Sequence, residues 1–416
     1  MVAQCNLRGM LRRDRAAAMP FIMAVTLIDM VTIGLIIPVL PALVGGFTGS
    51  QASQAFWYGA VTFAFGFANF FASPALGALS DAHGRRPVLL LGFCGLALSF
   101  LATALATALW MVIAVRFVSG ALMANMSVSN AYVADITPPE ERGRRFGMLG
   151  AMFGIGFILG PVLGGLLGAV DVRLPFFAAG SLALLNLAYG WFVLPESLPP
   201  ERRRPFAPKA ATPWRAFRGL AELQGVGRLV AVIACNGLAQ FVLYTTWVLY
   251  SSFKFGWGPR ENGWSLAAVG TVSALTQGLL LGRLLKRFGV RRLALMGLTS
   301  SLAAFLLWGL ATEGWMLYAV IFANVLGATV QASMQSIISS AADPRSQGQA
   351  LGAVGGLNSL MSVLAPLLGA PLLAAVSHLP QGDWRLGAPI FFCAALQAAA
   401  LALAVSHFRR GSAARA

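Results

Sequence analysis

Apolar residues run through this chain in long, almost uninterrupted blocks, separated by short polar tracts rich in arginine. A helix needs about 20 apolar residues to cross roughly 30 Å of hydrocarbon. Twelve blocks meet that length, at 18–44, 55–79, 87–107, 109–134, 145–169, 175–195, 228–250, 263–285, 293–312, 315–339, 347–376 and 388–408. The block after Arg15 continues past Val44, too far for the apolar core of a secretory signal, so it reads as a membrane helix. The pattern predicts an all-α integral membrane protein with twelve transmembrane helices.

The longest polar stretch opens with Glu196 and Ser197, is rich in proline and arginine, and follows the sixth block. It divides the chain into an N-terminal six-helix bundle at 1–195, a flexible linker at 196–227 and a C-terminal six-helix bundle at 228–416. Shifted by 205 residues, the chain superposes Gly77 on Gly282, Gly84 on Gly289, Trp110 on Trp315, Gly147 on Gly352, Pro161 on Pro366 and Gly164 on Gly369. One gapless offset joining loops to equivalent loops indicates duplication. Parallel repeats related about the membrane normal leave a cavity near the midplane, which alternating access opens to either side.

Composition narrows the reading. With 58% hydrophobic and 11% charged residues, the chain lacks the ~25% charge of a soluble globule. The net charge of +16 raises nucleic acid as a partner. The basic residues form no stripe with interleaved aromatics, however, and no nucleic-acid role is expected. Topology accounts for them better. If the residues before 18 face the cytoplasm, alternate loops hold 25 of the 30 Lys and Arg; the opposite side has Arg173, Lys254, Arg260 and Arg385, and Arg116 lies within a helix. Both termini are then cytoplasmic, and the Arg-over-Lys bias fits a bacterial inner membrane. Cys5, Cys94, Cys235 and Cys393 show no ligand spacing and His83, His378 and His407 stand alone, so neither a metal nor a cofactor is expected. No GxxxxGK loop followed by Ser or Thr occurs, which argues against an ATP-driven pump.

Few polar residues interrupt the blocks. Asp29 is the only acid deep within one. An ionised carboxylate there is costly, so Asp29 either takes up and releases a proton during transport or is a permanently protonated, hydrogen-bonded structural group. Arg116 cannot shed its proton and needs a polar cavity or a partner, for which Asp29 is the candidate. The alternative is that Arg116 snorkels or bonds free carbonyls only. Amides recur at Asn69, Asn125, Asn130, Asn186, Gln240, Gln277, Asn324, Gln331, Gln335 and Asn358. Each one alone either ties neighbouring helices together or lines a cavity. As a set, with Phe241, Tyr244 and Trp247 nearby, they predict a mostly apolar pocket for an amphiphilic organic substrate. Asn69, Asn125, Gln240, Gln277, Asn324, Gln331 and Asn358 are the candidates for its lining.

Two motifs remain. In the fifth block Gly156, Gly160, Gly164, Gly165 and Gly168 leave a bare helical face around Pro161, suited to close helix packing and a bend. Between the second and third blocks stand Gly77, Asp81, Gly84, Arg85, Arg86 and Pro87. There Gly84 can take a left-handed turn, Pro87 suits a first helical turn, and Asp81 can meet an arginine or a helix N-terminus.

With these residues the sequence resembles the major facilitator superfamily, and within it the drug:proton antiporters of the twelve-helix tetracycline-resistance-like group. The loop Gly77 to Pro87 is similar to the superfamily's loop 2–3 signature, Arg116 with Gly120 to its fourth-helix arginine motif, and Gly156 to Gly165 to the antiporter pattern GxxxGPxxGG. Asp29 followed by Ile33 to Pro41, Tyr132 to Thr137, and Pro175-Phe176-Phe177 look like the tetracycline pumps. The resemblance implies a monomeric transporter, not an enzyme, with a small-molecule substrate, protons and the lipid bilayer as partners. Asp29 and Arg116 would then belong to the transport path, and Asp81 with Arg85 to a gating loop. Ser99 and Ser301 stand where dedicated tetracycline pumps carry acids within the third and ninth helices. The expected function is proton-coupled efflux of small amphiphilic drugs, the alternative being proton-coupled import or export of a small metabolite.

Overall fold

The computed structural model describes residues 2–123, 125–206, 212, 227–341 and 347–413; the rest of the expected linker lies outside the described residues. The described chain is helical and without strands. Helix α1 covers Val2–Ile36 and is followed by the short helix Leu40–Gly45. Then come α2 (Gln51–His83), α3 (Arg85–Ala104), α4 in two pieces (Leu109–Leu122 and Asn125–Ile136), α5 (Arg142–Val170) and α6 (Leu174–Val193). The second half has α7 (Gly227–Phe255), α8 and α9 within Pro259–Leu310, α10 in two pieces (Gly314–Ala323 and Val330–Ala341), α11 (Gln347–Val376) and α12 (Ala388–Ala413).

The 52 helical residues of Pro259–Leu310 would reach roughly 78 Å at 1.5 Å per residue, more than twice the hydrocarbon thickness. They make two spans, divided where Gly289 turns to φ 71°, ψ 160°. Gly84 divides α2 from α3 in the same way, at φ 107°. Counting α8 and α9 separately, and the bent α10 as one span, the described residues carry the twelve expected crossings. The offset of 205 holds in three dimensions: Gly84 and Gly289 turn alike, α4 and α10 both break and restart at Asn125 and Val330, and α5 and α11 begin at Arg142 and Gln347.

Within the first six helices α1 packs on α5 and α6, α2 on α4, and α3 on α6. The second six repeat the scheme, with α7 on α11 and α9 on α12. The two bundles meet along α5–α8 and α2–α11. At one end these pairs come together so closely that a side chain has no room. A Cβ on Gly263 would lie 2.4 Å from the Pro161 carbonyl oxygen, and one on Gly59 would lie 2.4 Å from the Ala370 Cβ. Towards the other end of the same four helices, Gly77, Gly147, Gly150, Gly282, Gly352 and Gly355 meet nothing within 4 Å. The halves are therefore closed at one end and apart at the end bearing the arginine-rich loops, here called the basic end.

Three of the four cations expected at the closed end are bound locally. Arg173 donates to the carbonyls of Ala104 (2.7 Å) and Ala106 (2.9 Å), at the C-terminus of α3. Lys254 donates to Gly309 O (2.7 Å) at the end of α9, and Arg385 pairs with Asp383 (2.7 Å). Each charge meets the unpaired carbonyls of a helix end or a carboxylate, which favours its position.

The close approach of α2 and α4 yields a prediction. A Cβ on Gly120 would lie 2.2 Å from the Phe65 backbone oxygen, whereas Gly150 has free space. Gly120→Ala should lower the melting temperature of the purified protein, reflecting an overpacking cost of roughly 1–3 kcal/mol. Gly150→Ala should leave it unchanged or raise it slightly. Equal melting of the two variants would contradict the packing described.

Candidate functional site

The first half holds a polar core built around the break in α4. At Met123 the backbone leaves the helix (φ −88°, ψ 93°), freeing carbonyls that water cannot satisfy inside a bilayer. Asn69 of α2 supplies the missing donors, to Gly120 O (3.3 Å) and Met123 O (2.6 Å). The helix restarts at Asn125, whose Nδ2 donates to Asp29 Oδ1 at 3.0 Å. Gly92 of α3 makes room for that amide, since a Cβ there would fall 1.9 Å from Asn125 Oδ1. Asp29 is 4% exposed.

The expected ion pair between Asp29 and Arg116 does not form; among the described residues no Asp29–Arg116 contact lies within 4.0 Å. Helix geometry gives the reason. Asp29 lies level with Asn125, and Arg116 is nine residues earlier on α4, roughly 13 Å along the axis. Arg116 is 6% exposed, its Nε and Nη2 have no hydrogen-bond partner, and its electrostatic neighbour is Tyr58 of α2.

The loop between α2 and α3 forms a second cluster, at the basic end. Arg85 reaches Asp81 (2.5 Å), Ser80 Oγ (2.7 Å) and Asp135 Oδ2 on α4 (3.0 Å). Glu196, just after α6, accepts the backbone N–H groups of Arg85 (2.8 Å) and Arg86 (3.2 Å) at the α3 N-terminus. It also accepts those of Ser197 (2.9 Å) and Leu198 (3.0 Å). Arg86 bonds the Trp191 carbonyl, and Tyr132 Oη donates to Pro195 O (2.9 Å). Gly84 is doubly constrained: its φ is left-handed, and a Cβ would meet Glu196 Oε2 at 2.3 Å. Gly77 stands apart, where an added Cβ would meet nothing within 4 Å.

On α5, Gly156, Gly160 and Gly164 all face α1, where added Cβ atoms would lie 2.5 Å from Met30 Cβ, 2.6 Å from Gly34 Cα and 2.0 Å from Leu35 O. Gly165 and Pro161 turn to α8: a Cβ on Gly165 would be 2.6 Å from Pro259 O. The motif is thus a junction of three helices, one of them from the other half.

The amides separate into two groups. Asn69 and Asn125 bond as above, Asn186 donates to Val25 O (3.2 Å), and Asn324 accepts from Ser300 Oγ (2.8 Å) beside the break in α10. These join helices. Gln240, Gln331 and Asn358, by contrast, line a recess between α7, α10 and α11, together with Asn236 and Gln335. Phe241, Tyr244 and Met334 supply its apolar wall. Gln277 lies outside it, exposed on α8. The sequence candidates Asn69, Asn125, Gln277 and Asn324 therefore do not line this recess.

The Major Facilitator Superfamily profile matches residues 22–366 and, a second time, 229–415. The chain belongs to this superfamily. Among its curated relatives is the class C tetracycline resistance protein of Escherichia coli, 36% identical over 375 residues, 90% of this chain and 94% of that protein. The class D protein of Salmonella ordonez is 34% identical over 370 residues, 89% of this chain and 93% of that protein. Solved structures of similar fold include the human organic anion transporter TETRAN, with TM-score 0.69 and 24% identity, covering 94% of this chain and 99% of that one. The nucleoside transporter NupG gives TM-score 0.71 at 15% identity, with the same coverage.

In this member of the superfamily Ser99 and Ser301 are buried with unpartnered hydroxyls. Glu196 and Asn236 are site residues that sequence reasoning missed. Glu196 was readable only as the start of a polar stretch, while Asn236 stands one helical turn before Gln240 and that spacing was its signal. Glu196→Ala leaves the α3 N-terminus without its cap and should lower unfolding stability in detergent by roughly 1–2 kcal/mol. Melting identical to the unmodified protein would show that the carboxylate contributes nothing there.

Proposed function

We propose that this chain exports small amphiphilic compounds across the bacterial inner membrane in exchange for protons, with Asp29 as the proton carrier. The observation that carries the reading is the placement of Asp29, a buried acid held by a neutral amide, in a chain so similar to tetracycline resistance proteins over nearly its whole length. A carboxyl with an amide partner and no cation to fix its charge suits reversible protonation. The charge asymmetry of the loops supports cytoplasmic termini, so the basic end would face the cytoplasm and the open cleft would be the loading state.

Alternating access would bring the basic ends of α5 and α8, and of α2 and α11, together while the closed seam parts. Each ligand then needs only to prefer one of the two states. The loop cluster of Asp81, Arg85, Asp135 and Glu196 would hold the basic end of the first half as one piece during that movement. Arg116, unpaired beside Tyr58, would act on the path electrostatically rather than as a partner of Asp29. The transporter works as a monomer on this reading, since both halves of the cleft come from one chain. The serines at 99 and 301 favour substrates other than metal-chelated tetracycline, and a small metabolite is the second reading.

The test is proton release from inside-out vesicles with an acidic interior, with tetracyclines, chloramphenicol-type compounds and lipophilic cations added in turn. At least one compound should dissipate the gradient, and Asp29→Asn should reduce that release at least about tenfold while the protein still inserts normally. Unchanged release in Asp29→Asn would remove Asp29 from the mechanism. If no compound moved protons, the export of drugs would give way to the metabolite reading.

A further inference from the structure

Most amides inside the bundles are spent on other helices, as their cost in hydrocarbon requires. Those of the α7–α10–α11 recess are not. Among the described residues, Gln240, Gln331, Gln335 and Asn358 make no side-chain hydrogen bond, and Asn236 Oδ1 is buried without a partner. Asn236 with Gln240 and Gln331 with Gln335 are i, i+4 pairs, so each helix turns two amides to one face. The α10 pair follows directly on the restart at Val330, which fixes where that face points.

The chemistry of the lining limits what fits. Each carboxamide offers two N–H donors and a carbonyl acceptor, so the set can match hydroxyl, carbonyl or amide groups in any order. No lining residue is charged, and a cation would lose its water there with no counter-charge to replace it. Phe241, Tyr244 and Met334 give the apolar face. Asp29 is not part of this lining; it lies in the other half, against Asn125.

We propose that this recess binds the exported compound through an uncharged edge carrying several hydrogen-bonding groups next to an aromatic or aliphatic face, and that it shares no atom with the proton site at Asp29. The inference rests on the export reading for the identity of its ligand as cargo. Proton and compound would then exclude each other through the relative position of the halves, not by competing for one carboxylate.

The experiment is equilibrium binding to the purified full-length protein. Chloramphenicol, thiamphenicol and florfenicol serve as uncharged probes with hydroxyl and amide groups on an aromatic ring, and tetraphenylphosphonium and ethidium as permanent cations. At least one uncharged probe should bind, more tightly than either cation. Gln240→Leu and Asn358→Leu should each weaken it about tenfold, the scale of one lost hydrogen bond in a desolvated site. Asp29→Asn should bind within about threefold of the unmodified protein despite losing transport. Gln335→Leu, altered at an exposed position in the cleft, repeats the test should either of the first two variants fail to fold.

Several results would overturn the proposal: tighter binding of a cation, no binding of any uncharged probe, binding indifferent to the amide substitutions, or binding lost in Asp29→Asn. The two readings fail separately. Uncharged probes that bind through the amides while nothing on the vesicle panel moves protons would leave the recess standing and remove drug export. Proton release with binding indifferent to the amides would do the reverse.

Discussion

Inside the bilayer no water is available to satisfy a polar group, and this one constraint orders most of what the structure contains. It explains why the described residues are helical throughout. It also explains why the break in α4 comes with Asn69 turned onto the freed carbonyls of Gly120 and Met123. At the closed end it draws Arg173 and Lys254 onto the bare carbonyls that finish α3 and α9. At the basic end, beyond the last turn of α6, Glu196 accepts the unpaired N–H groups that begin α3. Against this background, groups left without partners stand out. The buried Asn236 Oδ1 in the recess between α7, α10 and α11 is such a group, and so are Nε and Nη2 of Arg116.

The same constraint divides the chemistry between the halves. The first bundle holds the buried ionisable side chains Asp29 and Arg116 close to a broken α4. The second has a broken α10 at the equivalent place, but there the break introduces a wall of neutral amides. One scaffold occurs twice, with Asp29 and Asn125 bonded beside the break in the first copy and neutral amides beside it in the second. The bundles approach most closely at glycines along α5–α8 and α2–α11, and at the closed end Leu249, Phe253 and Leu373 of the second half join the core of the first. On the proposed reading, movement of the halves would link a proton in one to cargo in the other.

Much of this was legible in the sequence. The twelve apolar blocks and the offset of 205 reappear as twelve spans with matching turns at Gly84 and Gly289. Those features depend on length, charge and repetition, which a linear reading retains. The partner of Asp29 was not legible, because it depends on how α1 and α4 are set along the membrane normal: Asn125 lies level with Asp29 and Arg116 does not. The two groups of amides could not be separated either. Asn324 and Gln331 are seven residues apart on similar apolar stretches, yet one bonds Ser300 and the other faces the recess. Whether an amide ties helices or faces open space is set by its direction around the helix and by what packs there.

The central claim is that proton and cargo communicate through the position of the halves. The measurement that tests it most directly is the infrared band of the protonated Asp29 carboxyl, identified by its loss in Asp29→Asn and titrated with pH in lipid. It would be recorded with and without an uncharged compound that binds the recess, and with the seam free or locked. The lock is a disulfide between Gly66→Cys and Val363→Cys, where a Cβ on residue 66 lies 3.7 Å from the Val363 Cα, in a protein whose native cysteines have been replaced. The account predicts that the compound moves the titration midpoint when the halves are free and leaves it in place when they are locked. A midpoint that moves equally in the locked protein would mean that cargo and proton meet at the same atoms, and would contradict it.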